Sequence, residues 1–90
     1  MFKYKKCKIT FRKRMQDYNL GRWKEVTDAH LMGCLSKLHE KYDFKIISVD
    51  FNDCFRGSHI VLKCKKEHEI IIFSEFMAMT SGQIENAKIH

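Results

Sequence analysis

The 90-residue chain has no proline, no C-x-x-C pair and no apolar run near the roughly 18–20 residues that a membrane-spanning helix needs. The charged opening MFKYKKCK is not followed by the apolar core of a signal peptide, so the sequence reads as a soluble, non-secreted, cytoplasmic protein. Cys7, Cys34, Cys54 and Cys64 lie far apart, three of them inside apolar patterns, and four free thiols in a reducing compartment are expected. Zero proline together with a bias to Lys, Ile, Phe, Asn and Tyr suits the AT-rich coding of a low-GC bacterium or its phages.

Motifs of the common nucleotide-binding and hydrolytic classes are missing too. There is no Walker loop, G-x-G-x-x-G, G-x-S-x-G or H-E-x-x-H, and no K/R-G-F/Y-G/A-F-V-x-F/Y run or G-x-x-G of the RRM and KH domains. No cofactor and no metal are expected, and the chain does not read as an enzyme. With 44% hydrophobic and 31% charged residues it belongs with ordinary globular proteins, at a length that makes one small domain over 1–90.

Negative charge is scarce at one end. Lys3, Lys5, Lys6, Lys8, Arg12, Lys13, Arg14, Arg22 and Lys24 meet only Asp17 in the first 24 positions, a net +8, whereas the other 66 residues carry −2. A concentrated positive field raises the local concentration and on-rate of a polyanion.

The pattern along the chain predicts an α+β, two-layer sandwich: a mostly antiparallel four- to five-stranded sheet packed on one main helix, in the order β-β-α-β-β-β. In residues 2–11, Cys7, Ile9 and Phe11 alternate with Lys6, Lys8 and Thr10, the period of a half-buried strand. Residues 12–21 read as a hairpin loop with Asn19-Leu20-Gly21 as turn, and Arg22–Thr27 as a second strand or the start of a helix. Together they form a basic N-terminal hairpin over 1–27. Thr27 is placed to cap a helix reaching Tyr42, with Leu31, Leu35, Leu38 and Tyr42 as its apolar stripe and Gly33 marking a close approach to the sheet. Residues 44–53, 59–64 and 69–73 read as strands, the last two joined as a hairpin through residues 65–68. Residues 74–90 read as a short helix or a frayed tail, with the fraying expected over 80–90.

The strongest constellation is the mixture of bases with Phe2, Tyr4, Phe11, Tyr18 and Trp23, since phosphate neutralisation with base stacking is how single-stranded nucleic acids are held. If Cys7, Ile9 and Phe11 pack under the helix, Lys6, Lys8 and Arg12 project from the open face of the sheet. The expected nucleic-acid or acidic-partner site is Lys6, Lys8, Arg12, Lys13, Arg14, Tyr18, Arg22, Trp23 and Lys24. Phe55, Arg56, Phe76 and Met77 are candidates for a protein interface, being of types enriched there.

Two further groupings are weaker. Cys54, His59, Cys64 and His68 have no short knuckle for zinc, and His59 and Cys64 fall on opposite faces of one strand. His30 and Cys34 sit four apart on the helix, the minimal arrangement of a His-activated thiol, although the helix phase turns His30 outward. The expectation is a non-catalytic binding domain for RNA, DNA or a ribonucleoprotein, monomeric or homodimeric and away from membranes. The alternative is a phage- or mobile-element-encoded inhibitor or adaptor, of anti-defence type, that occupies an acidic groove of a host nucleic-acid-processing protein. A small ribonuclease toxin ranks third.

Overall fold

Alternation carries the first strand further than its expected end. In the computed structural model, which describes residues 3–18 and 22–90, β1 spans Tyr4–Lys13 with Cys7, Ile9, Phe11 and Lys13 buried and Lys6, Lys8 and Arg12 exposed. β1 is antiparallel to β5 (Ser58–Lys65) on one side and to β6 (Ile84–Ile89) on the other; β4 (Phe44–Asp50) pairs with β5, giving the order β4-β5-β1-β6. Two helices, α1 (Asp28–Lys41) and α2 (Glu69–Met79), contribute to one core with the inward residues of the sheet. The α+β sandwich expected from the pattern is therefore the architecture of the protein, with two helices in its second layer.

The connections interleave. The β1-α1-β4 unit encloses β5, and the β5-α2-β6 unit encloses β1, which is the split βαβ connectivity of ferredoxin-like sheets. That layout explains why Glu69–Phe73 is helical where a strand was expected. Both edges of β5 are already occupied, by β1 and β4, so a strand hairpinned to β5 has no edge to join. The chain instead turns through a 3₁₀ segment (Lys66–His68), crosses over the sheet as α2 and returns along the free edge of β1 as β6. The Ile70-Ile71-Ile72-Phe73 run has no period of its own, and a short apolar run of this kind reads equally as strand or helix. In the helix, Ile72 and Phe76, four apart, are fully buried, and Thr80 Oγ1 donates to the Phe76 carbonyl at 2.7 Å. Residues 84–89 are correspondingly a paired strand and not a frayed tail. A bulge at Asn86-Ala87, with Asn86 in the left-handed region at φ 54°, adjusts the register of β6 along β1.

The basic hairpin also differs from expectation. β2 (Met15–Tyr18) follows β1 after one residue and pairs with β3 (Arg22–Glu25) as a separate two-stranded ribbon, so β3 has no place beside β1. The Asn19-Leu20-Gly21 turn and Phe2 lie outside the described residues.

α1 follows its sequence closely. Thr27 is extended (φ −79°, ψ 154°) and its hydroxyl accepts from the His30 N–H at 3.1 Å, while Leu31, Leu35 and Leu38 are fully buried and Cys34 nearly so. Gly33 does not mark a close approach: it is exposed, and a Cβ built on it would meet nothing within 4 Å. At the seam of the helices, Lys41 Nζ donates to Glu75 Oε1 at 2.6 Å, and Tyr42 meets His68 edge-on with ring centroids 5.3 Å apart.

Candidate nucleic-acid interface

The helices cover one face of the sheet and leave the other open, and strand register decides what that open face carries. Residues directly opposite in an antiparallel pair point to the same side. Lys6 on β1 is opposite Lys63 on β5, which is opposite Lys45 on β4. Three lysines thus form one row across three strands, all exposed, and none of them has an ion-pair partner among the described residues. Like charges directly opposite destabilise a sheet, so the row is a local cost to folding.

Farther along the same face a second row runs through all four strands. Asp50 (β4) is opposite His59 (β5), His59 opposite Thr10 (β1), and Thr10 opposite Lys88 (β6). His59 Nδ1 is 3.9 Å from Asp50 Oδ2, and Thr10 Oγ1 is 3.1 Å from His90 Nε2. Thr10, Arg12, Ser58, His59 and Lys88, with Gly57 and the Asn86 bulge, line a depression of about 450 Å³. At the other end, Tyr4, Asp43, Phe44, Lys45 and Lys63 line one of about 320 Å³. Tyr4 is 47% exposed there and donates from its hydroxyl to Asp43 Oδ2 at 2.6 Å; that bond first, then desolvation, pushes the phenol pKa up. Lys8 stands between the two ends and Lys65 lies opposite Tyr4 at one of them, so cations recur along the face, with Asp43, Asp50 and Glu85 as the carboxylates set into it.

Of the residues expected to bind, Lys6, Lys8 and Arg12 are on this face. Lys13 is not. Position 13 continues the inward phase of β1, so Lys13 is 4% exposed with its ammonium on the Asp28 carboxylate at the start of α1. Arg14, just past β1, has its Nε 4.0 Å from Glu85 Oε2, and Lys24 is exposed on β3. Tyr18, Arg22 and Trp23 belong to β2 and β3, and their side chains lie outside what is described. Phe11 is core, 5.8 Å from the Phe76 ring between centroids. Phe76, expected at a protein interface, is fully buried because it faces the sheet from α2; Phe55 is 82% exposed, Met77 39%, and Arg56 is held by Asp53 at 3.2 Å.

Lys45, Lys63, Lys65 and Lys88 were not singled out from the sequence. The signal for Lys63 and Lys65 was present, since they alternate with Leu62 and Cys64 as Lys6 and Lys8 do with Cys7 and Ile9. Their meeting with Lys6 depends on strand order, which no local pattern contains.

The other groupings do not assemble. Cys64 is in the core beside Cys7, His59 is on the open face, and His68 lies against Tyr42, so Cys54, His59, Cys64 and His68 do not converge. His30 Nε2 and Cys34 Sγ do meet, at 3.7 Å, but burial pushes the Cys34 thiol pKa up, the opposite of thiolate activation. Burial and the neighbouring Cys64 push the Cys7 thiol up to about 12. None of the described helices is long and apolar enough to cross a membrane.

Comparison with protein-family models, with curated proteins and with solved structures gives no match. Function is carried by the site and not by the topology, which hosts unrelated activities.

Proposed function

We propose that this chain is a non-catalytic binding domain for nucleic acid, alone or within a nucleoprotein, which lays the phosphate backbone across the open face of the four-stranded sheet. The observation that carries this reading is the Lys45–Lys63–Lys6 row. A like-charge row whose lysines form no ion pair among the described residues costs stability on its own, and a polyanion laid across it turns that cost into binding energy by releasing condensed counterions. Arg12 and Lys88 continue the field to the far end of the sheet, and Lys24 is exposed on the β2–β3 ribbon. Four free thiols suit a reducing, cytoplasmic setting.

The test is fluorescence anisotropy with labelled RNA and DNA over a salt series. Binding at roughly 50 mM salt is expected, with log K falling against log salt by about 0.7–0.9 for each phosphate contact. Charge reversal at Lys6, Lys45 and Lys63 together should flatten that slope. Absence of binding to either polymer at low salt refutes the reading.

One observation favours a protein partner as a second reading. α2 is apolar on its outward side as well as its inward one, leaving Ile70 64%, Ile71 44% and Met77 39% exposed. An inhibitor or adaptor acting on a nucleic-acid-processing protein would use this surface. A single stoichiometric protein partner that survives nuclease treatment, and is lost on Ile70→Glu, would support it.

A further inference from the structure

The connection from β4 to β5 is tied down at almost every residue. Asp53 Oδ1 accepts from the Phe55 N–H at 3.0 Å and the Arg56 N–H at 3.1 Å, and Asp53 Oδ2 accepts from Arg56 Nη2 at 3.2 Å. Glu25, at the end of β3, accepts from the Cys54 N–H at 2.8 Å. Asn52 closes the base of the turn, its N–H donating to Ser58 Oγ and its Nδ2 to the Gly57 carbonyl, both at 2.8 Å. At the tip of this scaffold Phe55 is 82% exposed, more than any other large apolar side chain among the described residues. No ring contact among the described residues involves it.

Its position gives the ring a context. Gly57 and Ser58 line the open-face depression together with Thr10, Arg12, His59 and Lys88. Two residues of chain reach at most about 7 Å, so the Phe55 backbone lies within that distance of Gly57 in the wall of a hollow that also holds Arg12 and Lys88. An exposed aromatic ring near a hollow lined by two cations matches one ligand chemistry well, a nucleotide whose base has left its partner. Because the turn is held by hydrogen bonds before any ligand arrives, little ordering entropy remains to be lost on stacking.

We propose that Phe55 is a stacking platform for an unpaired base, with the adjoining phosphate seated between Arg12 and Lys88. This rests on the nucleic-acid reading and deepens it: the ligand class becomes single-stranded or locally opened nucleic acid, such as a loop or a strand end, in preference to continuous duplex. The row of lysines holds the backbone regardless of sequence, and Phe55 distinguishes a stackable base from one already stacked.

The experiment compares a short labelled single strand with a blunt duplex of the same sequence, on wild type, Phe55→Ala and Phe55→Trp. Phe55→Ala should weaken the single strand about 5- to 150-fold, the range for losing one stacked base, and leave the duplex unchanged. Phe55→Trp should keep single-strand affinity, with indole fluorescence quenched on binding. Circular dichroism should be the same for all three, since the ring is outside the core. Equal affinities of wild type and Phe55→Ala for the single strand would overturn the platform and leave the lysine row standing. Failure of wild type to bind any nucleic acid at low salt would overturn the parent reading as well. If Phe55→Ala abolished capture of a nuclease-resistant protein partner without moving nucleic-acid affinity, Phe55 would be a protein contact and the proposal wrong.

Discussion

Along β1, consecutive residues belong to two different problems. Cys7, Ile9, Phe11 and Lys13 face α1 and α2 and are nearly inaccessible, while Lys6, Lys8 and Arg12 face outward on a sheet surface that none of the described residues covers. The covered face holds the fold together through apolar burial and ring contacts. The open face works against folding by setting lysine opposite lysine. Two faces of one sheet are therefore shaped by opposite requirements, and substitutions should separate them.

The largest separation expected is in thiol reactivity. With its pKa pushed up to about 12, Cys7 at pH 8 presents a thiolate fraction roughly a thousandfold below that of an ordinary exposed cysteine. Lys8→Cys, one position along but on the open face, should alkylate rapidly while Cys7 and Cys64 react only on unfolding. Mass spectrometry of partly labelled protein reads this directly, and equal rates at positions 7 and 8 would break the assignment of faces.

Next comes packing on the covered face. Phe76→Ala removes a fully buried ring that touches Phe11, and should cost about 3–5 kcal/mol in urea unfolding. A variant that remains folded should keep its nucleic-acid affinity.

A gain should come from α1. Gly33 sits in mid-helix with open space where a Cβ would go, so Gly33→Ala is expected to stabilise by about 0.5–1 kcal/mol. A loss of stability would mean that the outward arc of α1 is not free.

On the open face the two properties should move in opposite directions. Lys63→Glu replaces the centre of the like-charge row and should raise stability by about 0.2–1 kcal/mol while weakening nucleic-acid binding and lowering its salt slope by about 1. A variant that loses stability and keeps its binding would remove the row from the interface.

The smallest effect should be that of acid. Lys41 first, then Tyr42, holds the Glu75 carboxyl below the usual carboxylate range, and Arg56 with the Phe55 N–H does the same for Asp53. A depressed folded-state pKa contributes stability that is complete above the unfolded value near 4 and is lost as pH falls through the lower folded one. Both pairs are solvent-screened, so the loss is modest. The urea midpoint should fall between about pH 5 and 2, and Glu75→Gln should fall less over that window; an identical decline would detach Glu75 from the effect.

Local patterns were legible wherever one side of an element is polar. β1 and α1 each set an apolar stripe against a charged one, and Thr27 announces the start of α1 with its hydroxyl. α2 has no such contrast, and its isoleucine run reads as a strand as readily as a helix. Lys13 reads as one more surface base if the strand stops at Phe11, although the period that buries it begins at Cys7. Lys45, Lys63 and Lys88 carried no local mark at all that joins them to Lys6.

Residue order alone carries the class of fold, the cap and stripe of α1, the two-sided character of β1 and the excess of positive charge in the first 24 residues. Hydrophobic period and capping are interactions between neighbours a few positions apart, so they are written in the order of residues. Strand order comes from long-range pairing, because β5 has two edges and both are filled by distant segments. That choice made Glu69–Met79 a helix, brought the last strand onto β1 and aligned Lys45, Lys63 and Lys6 in one row. Pairing at long sequence separation depends on which edges remain free, and no window of local sequence contains that.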